Sequence, residues 1–444
     1  MISKEPNNND DLPIVIAGGG CVGLFLALLL AHSSLPNQII VIEPQHPDPA
    51  STRAMAHQPP TFPLFAQIPD LLPELIKAGS LSEGLCFRTS VQNGSKVIAS
   101  KKFDNSGEGM KGKGQLLLPQ GQFQQILMGR LAKSEGKVEV RLGWSVEGFE
   151  QMDERVSVKI RAAPVSTPTL PYEEPDRTTD GEPDGESETE TETIDASYLI
   201  GADGAHSLVR KAMGLELEGE TLDAQLVATD LKFPFKKHGF FDANFIVDSW
   251  NYGLIGRIDK EGLWRVSYGV PGSQGEEEIR KNVHEKLRGM LPTGGRDEEG
   301  KDAFEVVRVA PYRAQQRCAP TLVKGRVLLV GDAAHLTNPY AGLGLASGIA
   351  DADSLAPILA HILTGKASSP STLLSSWSEA RRQKFFDVVD KPSRAAYKRV
   401  RSNVDTDEDV RSLLARDSTV KALKSGMPVM PPSLRSAGEE MEGW

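Results

Sequence analysis

Three glycines near the N-terminus have the spacing of a phosphate-binding turn. Gly18, Gly20 and Gly23 lie in the stretch GGGCVG, between the apolar runs Leu12–Ala17 and Leu24–Ala31. The first glycine permits a tight turn, the second lets a pyrophosphate approach the backbone, and the third lets a helix pack on a strand. The helix that follows adds free N–H groups and a positive dipole at its first turn. The spacing therefore predicts a strand–turn–helix unit that binds a dinucleotide.

Glu43 supports this interpretation, since it ends the next apolar run, Gln38–Ile42, about twenty residues after the third glycine. A carboxylate at that position can accept hydrogen bonds from a ribose diol. Two other interpretations of the apolar N-terminal run are weaker. A signal peptide needs basic residues where Asp10 and Asp11 stand, and a membrane-spanning helix would be interrupted by the glycines. The motif leaves open whether the nucleotide is FAD or NAD.

Two later motifs place an aspartate next to glycine at the end of a predicted buried strand. Asp203 lies in YLIGADGAHSLVR, and Asp332 lies in GRVLLVGDAAHLTNPYAGLGL. An acid at such a strand end can bind a ribityl hydroxyl, and a glycine-rich turn after it can offer N–H groups to an electron-accepting ring. Taken alone, Asp203 could form a turn and Asp332 could cap a helix. Their occurrence together, after the glycine motif, favours a binding role.

These three ordered motifs resemble those of the class A flavoprotein aromatic hydroxylases. These are the single-component FAD monooxygenases related to para-hydroxybenzoate hydroxylase, and the resemblance covers roughly residues 12–365. The variant NPYAGLGLASGIADADSL is most similar to fungal secondary-metabolism members. The resemblance implies an FAD site made of Gly18, Gly20, Gly23, Glu43, Arg53, Gln120, Asp203, Asp332, Pro339, Gly344, Leu345 and Ala346.

The resemblance also implies a role for the residues outside the glycine motif. Arg53 would reach FAD, and Gln120 would touch its ribityl or ribose region. Asp203 would help place both FAD and the nicotinamide cofactor, whereas Asp332 would bind the ribityl chain. Pro339 would lie near the reactive edge of the isoalloxazine, whose N1/O2 edge would face the backbone N–H groups of residues 344–346. Ala346 stands where many relatives have Asn, a difference that a main-chain contact would tolerate.

The reaction implied by the resemblance is monooxygenation of an aromatic secondary metabolite, phenolic or polyketide-like. NAD(P)H would reduce FAD, O₂ would add to give a flavin hydroperoxide, and one oxygen atom would be transferred to the substrate. No second GxGxxG lies between a predicted buried strand and a helix, and the resemblance implies that NAD(P)H would bind transiently over the existing domains. The expected partners are thus a small aromatic substrate, O₂ and NAD(P)H. The substrate, the position of oxygenation, the choice between NADH and NADPH, the catalytic acid or base and the oligomeric state stay open.

Other functions are compatible with the same motifs. One alternative is a flavin reductase or a halogenase of the same fold, although the halogenase element Trp-x-Trp-x-Ile-Pro is absent around Trp250. Epoxidation of an indole-type or terpenoid metabolite is another. A flavin-binding scaffold or sensor is the alternative outside enzymology.

The substrate pocket is predicted from residues 226–270, whose alternation indicates an antiparallel sheet with one covered face. We expect its aromatic residues either to line a pocket over the flavin or to form the core of the sheet. Arg265 alternates opposite to Trp264, which predicts a solvated side chain. Tyr340 follows Pro339 and is predicted to form a pocket wall. The pocket candidates are Tyr340, Trp250, Tyr252 and Arg265, with Trp264 and Tyr268 on the same strands.

The predicted fold is α/β: a discontinuous Rossmann-like FAD-binding domain, an inserted antiparallel β-sheet substrate domain and a C-terminal helical tail. The FAD-binding domain comprises residues 1–80, 112–214 and 310–365, and the substrate domain comprises 81–111 and 215–309. Residues 366–444 form the tail, with a helix expected to break at Pro392.

Composition restricts the remaining possibilities. Three cysteines in 444 residues provide neither a disulfide framework nor a zinc ribbon, so we expect no metal and a cytoplasmic protein without an integral membrane segment. The net charge of −10 argues against nucleic acid as a partner. That charge equals the excess of acids in residues 173–195, which hold eleven acids and one base. This stretch has little to bury and is predicted to be a disordered loop.

Overall fold

The protein is described by a computed structural model that covers residues 12–106, 112–134, 136–163, 190–426 and 433–444. The strands are β1 Ile14–Ala17, β2 Ile39–Glu43, β3 Ala56–His57, β4 Ser80–Leu81, β5 Gly84–Thr89, β6 Val97–Lys102, β7 Leu116–Leu117, β8 Val138–Leu142, β9 Trp144–Gln151, β10 Val156–Ala162, β11 Thr191–Ala196, β12 Tyr198–Gly201, β13 Glu218–Lys232, β14 Ala243–Val247, β15 Gly253–Arg257, β16 Leu263–Pro271, β17 Glu305–Cys318, β18 Val323–Lys324, β19 Val327–Leu329 and β20 His335–Leu336. The α-helices are α1 Cys21–Ala31, α2 Phe62–Phe65, α3 Leu71–Ala78, α4 Gln120–Leu131, α5 Leu208–Ala212, α6 Glu276–Met290, α7 Gly344–Leu363, α8 Pro370–Lys384, α9 Lys391–Val400, α10 Asp407–Arg416 and α11 Ser418–Lys424.

A mainly parallel sheet forms the nucleotide-binding half, in the order β18-β19-β12-β1-β2-β8. β1 lies in its middle and pairs in parallel with β12 on one side and β2 on the other. Every residue of β1 is buried, which explains its continuous apolar sequence, because strands of a parallel sheet are covered on both faces. The glycine turn after β1 and the aspartates after β12 and β19 therefore meet at one edge of this sheet, the edge at which its parallel strands end.

The second sheet has the order β20-β17-β13-β16-β15-β14-β5-β6. It contains the predicted substrate region together with strands from residues 81–111 and is antiparallel except for the pair β14–β5. The predicted domain boundary at residue 310 falls inside β17, which runs from Glu305 to Cys318. Strand β17 is long because it pairs with β13 along most of its length.

The two faces of this sheet bury different groups. Trp264, Val266 and Tyr268 alternate along β16 and pack in one apolar cluster with residues of α6. The cluster also includes Phe235, whose ring centroid lies 4.9 Å from that of Trp264. We call this the helix face of the sheet, and the opposite one, which carries Arg265, the inner face. Trp264 and Tyr268 are therefore core residues of the helix face.

Trp250 also departs from its predicted place on a strand. It lies in the connection between β14 and β15 and is 82% exposed. Asp248 organises this connection by accepting hydrogen bonds from the N–H groups of Trp250 and Asn251. The indole thus points away from the buried interior, and Trp250 is not a pocket residue. The prediction failed because alternation was extended through a turn.

The acidic stretch is partly ordered. Thr191–Ala196 forms β11, which pairs antiparallel with β10 and buries Ile194. The prediction of disorder over 173–195 was therefore wrong for its last five residues, because Ile194 provides an apolar anchor. Its remaining part up to residue 189 lies outside the described residues.

The C-terminal segment is helical and is packed onto both halves. Helices α8 and α9 are joined by a π-helical turn at Phe385–Asp390, so the predicted break at Pro392 does not occur. The proline lies directly after this π-helical turn, and the chain stays helical through it. Helices α10 and α11 cover the β6 edge of the second sheet, with Leu413, Val420 and Leu423 in one cluster with Phe87 and Ile98. In the described part of the chain, no helix has the length and apolar character needed to cross a bilayer.

The assignment of the two tryptophans has a direct test. We expect Trp264→Ala to lower the free energy of unfolding by about 3–5 kcal/mol, because it leaves a cavity in the cluster beneath α6. Trp250→Ala is the matched control and should leave stability within about 0.5 kcal/mol of the parent value. Denaturant unfolding measures both. Equal stability of the two variants would contradict the placement of Trp264.

Candidate dinucleotide and substrate site

Two of the three motif glycines are required by packing, and the middle one is open. Gly18 has φ of +108°, and a Cβ there would lie 2.4 Å from the carbonyl oxygen of Ala202. A Cβ on Gly23 would lie 2.0 Å from the carbonyl oxygen of Gly18. A Cβ on Gly20 would meet no atom within 4 Å. The turn is thus closed on its protein side and leaves room at Gly20, as the approach of a pyrophosphate requires.

Glu43 holds the turn in place. Its Oε2 accepts a hydrogen bond of 2.7 Å from the Gly19 N–H, and its Oε1 accepts one of 3.0 Å from the Gln45 N–H. Burial raises the pKa of the Glu43 carboxyl, while these hydrogen bonds and Arg53 oppose that shift. Since a carboxylate offers about four lone pairs, both oxygens can accept a further bond from a ribose hydroxyl.

Asp203 combines a capping role with a free oxygen. Its Oδ2 accepts hydrogen bonds from the N–H groups of Leu208 and Val209, at 2.8 and 3.1 Å, where α5 begins. Its Oδ1 is buried and has no hydrogen-bond partner among the described residues. An unsatisfied buried acceptor costs about 1–3 kcal/mol, so this oxygen is suited to a ligand that supplies a donor. The structural and the binding interpretations of Asp203 are therefore compatible.

Asp332 lies in the 3₁₀ turn Gly331–Ala333 that follows β19. Its side chain is exposed and forms no hydrogen bond to the described chain, whereas its neighbours Gly331 and Ala333 are fully enclosed. The dense protein around the carboxyl raises its pKa, although His335 opposes this shift. An accessible carboxylate with protein packed around it is typical of the wall of a ligand-binding groove. Asp332 does not cap the helix that follows.

The residues predicted to face the flavin ring come from one loop and the helix after it. Asn338 Oδ1 accepts the Tyr340 N–H at 3.1 Å and starts the turn Pro339–Ala341. Helix α7 begins at Gly344, so the N–H groups of its first turn have no partner in the helix. Leu345 and Gly344 are half-buried and Ala346 is buried. Free N–H groups and a positive helix dipole suit an electron-rich ring edge.

Arg53 and Gln120 come from two separate segments, the connection between β2 and β3 and the start of α4, that are held together by hydrogen bonds. Gln120 starts α4 and exchanges hydrogen bonds with Ala54, accepting its N–H at 3.3 Å and donating its own N–H to the Ala54 carbonyl at 2.8 Å. Arg53 is exposed, and its guanidinium has no hydrogen-bond or ion-pair partner in the described chain. Gln120 therefore fixes the backbone beside Arg53, which keeps its donors available.

Beneath the Gly331–Ala333 turn lies a buried carboxylate that the sequence analysis did not select. Asp351 is fully buried and accepts hydrogen bonds from the Gly331 N–H at 3.0 Å, His335 Nε2 at 2.8 Å and Arg381 Nε at 2.8 Å. Burial alone would raise its pKa, but His335 and Arg381 hold the pKa of Asp351 below its usual range. His335 thus uses its Nε2 in this network and stacks on Phe385.

Arg381 carries the network to the C-terminal segment. Its Nη1 donates to the Leu434 carbonyl at 2.6 Å and to Ser436 Oγ at 3.1 Å, and its Nη2 donates to the Ser347 carbonyl at 3.3 Å. The side chain is wholly buried. An acid within the apolar helix α7 was a signal that could have identified Asp351. Arg381 gave no signal, because its segment has the composition of a solvated helix.

Two of the pocket candidates lie in a cluster of tyrosines. Tyr340 and Tyr252 are buried on the inner face, with ring centroids 6.2 Å apart. Tyr397 of α9, which sequence reasoning missed, joins them at 5.7 and 6.0 Å. The Tyr340 hydroxyl has no partner among the described residues, and Arg401 lies over the rings of the other two. The structure therefore brings together three tyrosines and one arginine.

Arg265 is buried rather than solvated, which corrects the prediction. Its Nε and Nη2 donate to the two carboxylate oxygens of Asp230 at 2.8 and 3.0 Å, and its Nη1 donates to the Arg53 carbonyl at 3.1 Å. Alternation along β16 predicts that the face carrying Arg265 meets solvent. In the structure this inner face is covered by the nucleotide-binding half. Arg265 is thus a structural link between the halves.

The Asp351 network can be tested by substitution of Arg381. We expect Arg381→Met to lower the free energy of unfolding by about 3–5 kcal/mol, because it leaves a buried carboxylate without its main counter-charge. We also expect weaker binding of FAD, because the Gly331 turn loses its support. Unfolding curves and a fluorescence titration with FAD measure the two effects.

Lys384→Met is the control for this variant. Lys384 lies on the same helix and also donates to the C-terminal segment, at the Ser433 carbonyl, but it does not contact Asp351. It should leave FAD affinity unchanged. A stable Arg381→Met protein with unaltered FAD affinity would show that the network does not support the turn.

Comparison with known proteins identifies the family to which this site belongs. The family described as FAD binding domain matches residues 11–391. Para-nitrophenol 4-monooxygenase of Pseudomonas sp. (strain WBC-3) is 32% identical over 376 residues, covering 85% of this chain and 84% of that protein. 6-Hydroxy-3-succinoylpyridine 3-monooxygenase of Pseudomonas putida (strain DSM 28022 / S16) is 31% identical and covers 85% and 86%.

Solved structures give the same result. A p-nitrophenol 4-monooxygenase from Pseudomonas putida DLL-E4 superposes with a TM-score of 0.78 at 28% identity, covering 94% of this chain and 96% of that one. The rebeccamycin biosynthetic enzyme RebC, with reduced flavin, gives a TM-score of 0.68 at 22% identity and covers 88% and 68%, a likeness that extends to the fold alone. The prediction of an FAD enzyme that oxygenates an aromatic compound is confirmed, whereas the fungal secondary-metabolism assignment stays a prediction. The chain belongs to the FAD-binding family of flavin-dependent aromatic monooxygenases.

Proposed function

We propose that FAD lies along the groove that runs from the glycine turn to the start of α7. The residues fit the cofactor: the open space at Gly20 suits its pyrophosphate, Glu43 suits a ribose, and the carboxylate of Asp332 is free for a ribityl hydroxyl. Asp203 Oδ1 lacks a donor that a ligand would supply. The helix α7 N-terminus would face the ring edge. Bound FAD supplies the activation of O₂ and the transfer of one oxygen atom, with NAD(P)H as the reductant.

We further propose a substrate class: a small phenol or hydroxypyridine that receives oxygen at the ring carbon para to its hydroxyl. The names of the two relatives support this, since each oxygenates a position opposite a ring hydroxyl. That position carries a nitro group in one substrate and a succinoyl group in the other. Both are electron-withdrawing groups, which make the hydroxyl acidic.

The tyrosine cluster of the inner face supports a hydroxylated aromatic ligand. Burial raises the pKa of both Tyr252 and Tyr340 well above the ordinary value, so both hydroxyls remain protonated at neutral pH. A protonated hydroxyl can donate a hydrogen bond to the oxygen of a bound phenol or phenolate. The Tyr340 hydroxyl is the best placed of the three, because it has no partner in the described chain and follows Pro339 directly.

Among the described residues, Arg401 is the charged side chain that lies over these rings. Its guanidinium carbon lies 5.0 Å from the ring centroid of Tyr397 and 5.6 Å from that of Tyr252, and its Nη1 donates to the Tyr397 hydroxyl at 3.2 Å. A cation beside phenol donors favours the ionised form of a substrate hydroxyl. The electron-rich phenolate is the form that an electrophilic oxygen attacks at the para carbon. The three tyrosines and Arg401 can therefore both orient the substrate and favour its reactive phenolate form.

The proposed function is tested with the purified, FAD-loaded protein and a panel of para-substituted phenols and hydroxypyridines. Substrates of the proposed class should accelerate NAD(P)H oxidation and yield a product with oxygen at the para carbon, derived from ¹⁸O₂. Aromatic compounds without a ring hydroxyl should not. Reductant oxidation without an oxygenated product would support a flavin reductase instead.

The role of the cluster can be measured with single hydroxyl deletions. We expect Tyr340→Phe and Tyr397→Phe to lower kcat/KM for the aromatic substrate about tenfold or more each, since a lost hydrogen bond to a charged oxygen costs about 1.5–3 kcal/mol. Tyr198→Phe is the control, because Tyr198 is equally buried but lies in β12 of the parallel sheet. Unchanged kcat/KM in both variants would exclude the cluster from the substrate site.

A further inference from the structure

A surplus of positive charge lies on the inner face of the second sheet. Arg53 and Arg265 both lie close enough to Arg308 to affect its pKa, and Asp230 is the acid that Arg265 and Arg308 share. Arg265 and Asp230 come from the adjacent strands β16 and β13, and Arg308 comes from β17 on the other side of Asp230. Arg53 has Glu43 as a neighbouring acid, but Asp230 alone cannot neutralise both Arg265 and Arg308, so this region carries more positive than negative charge.

Asp230 is already committed to one of the three. Arg265 binds both of its carboxylate oxygens, at 2.8 and 3.0 Å, and the Thr52 hydroxyl donates a further hydrogen bond to Oδ2 at 2.5 Å. The Arg265 and Asp230 side chains are 8% and 2% exposed, so this is a buried pair. Its geometry leaves little capacity on Asp230 for another cation.

Arg308 interacts with Asp230 more weakly than Arg265 does. Its Nη1 lies 3.7 Å from Asp230 Oδ2, beyond hydrogen-bonding distance, and donates to Thr52 Oγ1 at 3.2 Å. The side chain is 29% exposed, and no described residue accepts a hydrogen bond from its Nε or Nη2. Burial, Arg265 and Arg53 together lower the pKa of Arg308, while Asp230 opposes that shift. An anion that binds between guanidinium groups reduces their mutual repulsion, so such a group of arginines favours anion binding.

The position of the group relative to the groove points to a dinucleotide. Arg265 binds the Arg53 backbone, which connects the sheet to the segment after β2, beside the proposed FAD groove. Tyr312 lies four residues along β17 from Arg308 and pairs with Leu226 of β13, which belongs to one apolar cluster with Tyr252 and Tyr340. Strands β13 and β17 therefore lead from the arginines to the proposed ring end of the groove.

We propose that Arg308 binds the phosphate groups of NAD(P)H while it reduces the flavin. This inference rests on the proposed function. FAD carries the same pyrophosphate chemistry, but its pyrophosphate has a dedicated place at Gly20, on the other sheet. In the described part of the chain, no second GxGxxG joins a strand to a helix as a place for the reductant. Arg308 offers it a planar pair of donors that matches a phosphate, and the buried pair Arg265–Asp230 fixes the backbone around it.

The test compares Arg308→Gln, Arg308→Lys and the parent holoenzyme. Arg308→Gln removes the charge and, since it also relieves repulsion from Arg265, should fold. Arg280→Gln is the control, because Arg280 is 39% exposed and lies on α6 at the helix face. For each protein, the dissociation constant of NADP⁺ is measured by calorimetry, that of NADPH by anaerobic flavin reduction, and that of FAD by fluorescence.

Arg308→Gln should weaken NADP⁺ and NADPH binding about tenfold or more, with partial recovery in Arg308→Lys and no change in Arg280→Gln. The limiting rate of flavin reduction and the FAD dissociation constant should remain those of the parent. The dependence of NADPH affinity on salt should also become shallower.

Two results would overturn the assignment. Unchanged NADP⁺ and NADPH affinity in Arg308→Gln would show that Arg308 does not bind the reductant. Weakened FAD binding with unchanged reductant binding would assign Arg308 to the FAD pyrophosphate. A parent protein that is reduced by NADPH but oxygenates no aromatic compound would contradict the proposed function while leaving this inference intact.

Discussion

The carboxylate of Asp351 is the interaction on which the cofactor half depends. It is buried beneath the turn that presents Asp332, and it binds a backbone N–H, a histidine and an arginine at once. Two loops and two helices meet there, because Arg381 extends the contact from α7 and α8 to the residues around Leu434. A buried ion of this kind is tolerated only when all of its partners are present. The geometry of the turn therefore depends on residues far away in the sequence.

The two faces of the second sheet have different roles: one forms an apolar core, and the other lines the proposed site. Along β16, the helix face holds Trp264 and Tyr268 in an apolar core, and the inner face holds Arg265 toward the cofactor half. Side chains alternate with a period of two, so a single register decides which residues reach the site. The tyrosine cluster and the arginine group both belong to the inner face. The substrate and the reductant would thus approach from two places on one surface.

Much of this organisation could be predicted from sequence, where local chemistry determines it. The glycine turn, the acid of Glu43 and the two Asp–Gly motifs carry their meaning in adjacent residues, and the structure places them at one edge of the parallel sheet. Burial and partners across the chain could not be predicted. Arg265 is buried because Asp230 and the Arg53 backbone lie opposite it, and Trp250 is exposed because a turn interrupts the alternation. Tyr397 and Arg381 lie in polar helices whose inward residues carry no local signal.

The divided role of Asp203 has a consequence for the life of the protein in the cell. One oxygen of this carboxylate starts a helix, while the other stays desolvated without a donor until a ligand supplies one. The empty protein therefore carries a strain in free energy that the filled protein lacks. Through linkage, each tenfold rise in free cofactor above its dissociation constant adds about 1.4 kcal/mol to stability. A chain without FAD would then unfold more readily than the holoprotein and would be cleaved faster by proteases that attack unfolded chains.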